Sequence, residues 1–94
     1  MHDSGSLGAL PGGVFLAKGL DDLAKGIESV GALLVSVGAP RLRRAGYVIP
    51  RTFDSPERRL YELLAEDDAD SAHGRYNSLI RRLVSFERAV ECVR

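Results

Sequence analysis

The sequence predicts an all-α fold, a helical hairpin of two to three helices that pairs with a second copy into a four-helix bundle. Three observations carry this. Leu16, Leu20, Leu23, Ile27, Val30, Leu34 and Val37 recur at spacings of 4, 3, 4, 3, 4 and 3, the seam of an amphipathic helix. Tyr76, Leu79, Leu83, Phe86, Val90 and Val93 form a second seam with the same alternation. Between them, Asp54-Ser55-Pro56-Glu57 combines a capping residue, a proline suited to the first turn and an acid at the positive end of the helix dipole.

Taken in order, residues 1–13 hold four glycines and a proline without any period and read as a flexible tail. The first helix is expected over 14–38. Lys18 with Asp22, and Asp21 with Lys25, are spaced to pair along its outer side. Gly19, Gly26 and Gly31 each cost a helix about 1 kcal/mol relative to alanine, which calls for a compensating close approach by another helix. Residues 30–37 are apolar nearly all round, as in a helix buried on more than one side. Gly38-Ala39-Pro40 reads as the stop. Residues 39–55 form an Arg-rich connector, with Tyr47-Val48-Ile49 extended ahead of Pro50. The region 56–93 is helical, with a break or kink expected near Gly74.

Ninety-four residues allow one domain, 14–94 after the tail. A core this small favours completion by a second copy, through the seam of Leu16, Leu20, Leu23, Ile27, Val30 and Leu34. The chain is neutral overall, with 13 basic and 13 acidic residues, but the charges are segregated. Residues 41–53 carry net +4, 54–74 net −5 and 75–94 net +3. Eleven of the basic residues are arginine, the side chain suited to bidentate contact with phosphate or carboxylate.

Enzymatic function is not expected. His2 lies in the tail and His73 is isolated, so no Ser-His-acid or Cys-His arrangement can be named. No phosphate loop or cofactor fingerprint occurs. The run Glu66-Asp67-Asp68-Ala69-Asp70 lacks the offsets of a calcium loop, and the lone Cys92 excludes a multi-cysteine metal site. No metal or cofactor is therefore expected. The Met-His-Asp start has no basic region of a secretory signal, and the uncharged run 29–40 is too short to span a bilayer. Nor do Lys or Arg flank the apolar half of the first helix as a membrane-surface helix would require. A cytoplasmic protein in a reducing compartment is the expectation.

Two binding readings remain. In the last helix Arg75, Ser78, Arg81, Arg82, Ser85 and Arg88 share one side with Cys92, while Glu87 and Glu91 lie on the other flank. Such a row lays guanidinium and hydroxyl donors along the phosphates and ribose hydroxyls of a duplex, reading shape and not sequence. Arg41, Arg43 and Arg44, interleaved with Tyr47 and Phe53, suit the same partner. They equally suit a loop strapped over a bundle with aromatics inward and arginines outward. The other reading is a non-catalytic helical interaction or dimerisation module, in which opposed charge blocks hold the protein to itself or to a protein partner.

The segments Gly19-Leu20-Asp21-Asp22-Leu23-Ala24-Lys25-Gly26-Ile27, Glu57-Arg58-Arg59-Leu60-Tyr61-Glu62-Leu63-Leu64 and Arg75-Tyr76-Asn77-Ser78-Leu79-Ile80 resemble, in layout, the RNA-silencing suppressor of insect nodaviruses. They cover about a third of the chain, with no diagnostic motif. The resemblance implies a viral homodimer, acting in the host cytoplasm, that lies along double-stranded RNA and shields it from dicing. It adds Arg59 to the candidate contacts. The Arg-rich insertion at 41–53 and the acidic segment at 66–70 depart from that layout.

Overall fold

The computed structural model describes residues 12–93, and it is all-helical. Four helices, and no strand among the described residues, follow in order: α1 (Gly13–Ala24), α2 (Val30–Arg44), α3 (Pro56–Asp67) and α4 (Ala72–Val93). The tail expected over 1–13 lies outside the described residues up to Pro11; Gly12 and Gly13 already belong to the start of α1.

The single helix expected over 14–38 is two helices. Gly26 adopts φ 74°, its N–H donates to the Leu23 carbonyl at 3.0 Å, and the Ile27 N–H reaches the Asp22 carbonyl at 2.8 Å. These paired bonds end α1 in a left-handed glycine turn. Three residues later the Ser29 hydroxyl accepts from the Ala32 N–H at 3.1 Å and starts α2. The apolar spacing runs unbroken through this turn because both helices bury the same seam against one core. Periodicity alone therefore cannot register the break.

Pro40 does not stop α2 either. It removes one donor and sits exposed, while the next turn buries Leu42 and places Arg41 against α4. The helix ends instead at Gly46, φ 106°, where the Gly46 and Tyr47 N–H groups bond the Arg43 and Leu42 carbonyls at 3.0 and 3.1 Å. Nor does the chain break at Gly74, which lies inside α4. The break is the turn before it, where the Asp68 carboxylate accepts from the Asp70 N–H at 3.1 Å.

α2 is the central helix. Ala32, Leu33, Leu34, Val35, Ala39 and Leu42 are buried on it, as the all-round apolar stretch leads one to expect. α1 adds Leu16 and Leu23, α3 adds Leu60 and Leu64, and α4 adds Leu83, Phe86 and Val90. Each large side chain contributes about 1.5–3 kcal/mol by burial. The α1/α2 crossing is close enough to exclude side chains: a Cβ at Gly19 would lie 2.6 Å from the Gly31 carbonyl carbon and 3.0 Å from Val35. Close helix approach thus accounts for Gly19 and Gly31, whereas Gly26 serves the turn.

The connector is strapped over the bundle. Tyr47 packs on Phe86 with ring centroids 6.1 Å apart, Ile49 is buried, and the Phe53 N–H donates to the Ser36 hydroxyl at 3.2 Å.

Candidate functional site

The nominated residues separate into three groups. The first is the α1–α2 seam. Leu16, Leu23 and Leu34 are buried inside one chain, Leu20 and Val30 are half-buried, and Ile27 is 48% exposed. The seam expected to meet a second copy is mostly spent on folding the first, because the turn at Gly26 lets α1 fold back onto α2.

The second group is arginines held by the chain itself. Arg41, on the last turn of α2, grips Glu91 with Nε and Nη2 at 2.6 and 2.7 Å and reaches Glu87 at 3.3 Å. That bidentate contact holds the Glu91 carboxyl below its ordinary range. Glu87 is pushed the other way by burial, only partly offset by Arg41. Arg44, exposed at the end of α2, adds its charge to the same cluster. Arg43 donates to the Ile49 carbonyl at 2.9 and 2.6 Å and pins the connector. Arg59 binds Glu28 bidentately at 2.9 Å and reaches Glu66 at 3.2 Å. Arg75 meets Asp67 at 2.8 Å.

The third group stays outward. Ser78, Arg81, Arg82, Ser85 and Arg88 are exposed on α4. Arg81 and Arg88 make no hydrogen bond or salt bridge among the described residues. The basic face expected from spacing is therefore divided: Arg75 at its start is engaged by Asp67, and the rest of it stands outward.

Beside that face lies a feature that spacing did not reveal. Between the first turns of α1, the start of α2 and the first half of α4 run two adjoining hollows of about 750 and 370 Å³. Phe15, Val30 and Arg82 line both, so the two form one groove open to solvent. Its surface is mainly apolar. Val14, 72% exposed, stands on its rim, and Leu79 lines the far end. The sequence signal was Val14-Phe15 itself, an apolar pair that the seam beginning at Leu16 does not use.

The charges of the groove are uneven. Lys18, Arg75 and Arg82 line it with a single acid, Asp22. Asp22 is 7% exposed. Its carboxylate accepts from the Ser29 hydroxyl at 2.8 Å and from Lys18 at 3.2 Å. The Ser29 bond, opposed by burial and aided by Lys18, leaves its pKa lowered. Asp22 is thus satisfied where it lies. The Arg82 guanidinium lies over the Phe15 ring, 5.8 Å from its centroid, and has no carboxylate partner among the described residues.

Reactive groups are not assembled here. His73 is exposed, its ring nitrogen 3.2 Å from the Asn77 amide, and Cys92 is a free, exposed thiol. Among the described residues no cluster of three metal-ligating side chains occurs and no helix is long and apolar enough to cross a membrane. The arrangement suits binding: an apolar trough with an aromatic-backed cation beside it. No known protein family, characterised protein or solved structure matches the chain.

Proposed function

We propose that this chain is a non-catalytic helical interaction module that receives a helix of a partner protein in the groove between α1 and α4. The observation that carries this reading is the continuous apolar trough through Phe15 and Val30, with Val14 exposed on its rim. Helices dock into such grooves by presenting apolar residues at i, i+3 or i+4, and i+7. The free thiol of Cys92 fits work in the reducing cytoplasm.

The test uses labelled amphipathic helical peptides about 15 residues long, with fluorescence anisotropy as the readout. Binding in the micromolar range is expected. Val14 is exposed, so Val14→Asp should leave the fold intact and weaken binding at least about tenfold, the effect of losing about 1.4 kcal/mol. Absence of binding to any such peptide, or equal binding by the folded variant, would sink the reading.

A second reading, suppression of RNA silencing by a homodimer on duplex RNA, is favoured by Ser78, Arg81, Ser85 and Arg88 exposed along one side of α4. It ranks second because Arg41, Arg43, Arg59 and Arg75 are engaged by the chain's own acceptors. A mobility shift with duplex RNA that weakens in Arg81→Ala/Arg88→Ala, with the salt slope reduced by about one unit per lost phosphate contact, would move it to first place.

A further inference from the structure

Arg41, Arg58, Arg59 and Arg75 are each matched by a carboxylate, whereas the groove has an excess of cations. Of its three, Lys18 shares Asp22 and Arg75 is taken by Asp67. Arg82 is left, and it lines both hollows where they join. Its side chain is confined on two sides. The Phe15 ring lies under the guanidinium, and the Arg82 stem packs so near Gly12 that a Cβ there would come within 2.9 Å of its Cγ. A guanidinium carries its N–H donors in the plane of its fork. That edge suits a bidentate carboxylate, and the apolar trough beside it suits an apolar stripe.

We infer that the helix received by the groove is acidic, with a carboxylate flanking its apolar stripe that is gripped by Arg82. This rests on the proposed docking function and names the chemistry of its partner. Charge complementarity also disfavours the simplest alternative. Two copies meeting groove to groove would set Lys18, Arg75 and Arg82 against their own images, and like charges in a desolvated interface are unfavourable. A partner with glutamates beside its leucines removes that repulsion and gives Arg82 a carboxylate.

The experiment compares three peptides with one leucine stripe and flanks of glutamate, glutamine or lysine, titrated into the full chain by calorimetry. The glutamate peptide is expected to bind about tenfold more tightly than the glutamine peptide, with lysine weakest. In Arg82→Gln the glutamate advantage should disappear. In Arg82→Lys, which keeps the charge and loses the planar fork, part of it should remain. Equal binding of glutamate and glutamine peptides would overturn the inference and leave groove docking standing, provided Val14→Asp still weakens both. Failure of all three to bind would overturn both. Groove resonances that shift on dilution of the chain alone would assign the groove to a second copy. Resonances that move only when residues 1–11 are removed would assign it to that segment, and displacement of the glutamate peptide by dodecanoate at equal concentration would assign it to a single-chain amphiphile. Each of these three results overturns the acidic-helix proposal.

Discussion

The two flanks of α4 use arginine in opposite ways. On one flank α2 closes against the helix: Leu83 and Phe86 are buried, a Cβ at Gly38 would lie 2.8 Å from Leu83 and 2.9 Å from the Glu87 carboxylate, and Arg41 clamps Glu91 and Glu87. On the other flank α1 stands off, and the groove leaves Arg82 over the Phe15 ring without an acid among the described residues. The same residue type thus serves cohesion on one side and is available for recognition on the other. What separates them is the supply of carboxylates by a neighbouring helix, which net charge does not report.

The contrast is open to three perturbations, the largest at the crossing that positions α1 for both groove and core. Gly19→Ala removes a helix penalty of about 1 kcal/mol, yet its methyl would meet Gly31 backbone. Overpacking of this kind costs about 1–3 kcal/mol, and because backbone cannot yield as a flexible side chain can, the net loss should be about 2 kcal/mol in urea denaturation. A neutral or stabilised variant would mean that α1 is not held at this distance.

Next is Arg41→Ala on the closed flank, followed by melting temperature against pH. Burial raises the Glu87 pKa above its ordinary 4.5, so the fold gains when that group protonates. Glu91, depressed below 4.5 by Arg41, gives stability that is present above 4.5 and lost as pH falls through its folded value. The variant should therefore be clearly less stable at neutral pH, and its deficit should shrink on acidification, first as Glu87 protonates above 4.5 and then as the wild type loses the Glu91 contribution below it. A deficit independent of pH would contradict the clamp.

The smallest effect belongs to the free face. Arg81→Ala with Arg88→Ala should change stability by no more than about 0.5 kcal/mol, as for exposed residues with no hydrogen bond or salt bridge among the described residues. A larger loss in chemical denaturation would show that these arginines serve the fold.

Much of this architecture was legible in the chain. The two seams named Leu16, Leu23, Leu34, Leu83, Phe86 and Val90, all of which are buried, because burial and helical period are the same fact seen twice. The turn at Gly26 was written in Gly26 and Ser29 but masked by a spacing that continues through it. Pro40 reads locally as a stop, yet long-range contacts beyond it keep the helix going. The fate of the arginines was not legible. Arg41 meets a partner 50 residues away and Arg59 one 31 residues away, and no spacing along a helix encodes such pairs. The groove is likewise a property of all four helices together.

The most direct measurement is amide chemical-shift mapping of the full chain titrated with the glutamate-flanked helical peptide. Docking in the groove predicts the largest shifts at Val14, Phe15, Val30, Leu79 and Arg82, with Arg41 and Glu91 unmoved. Shifts centred on Ser85 and Arg88, or on the Arg41–Glu91 flank, with the groove silent, would contradict it.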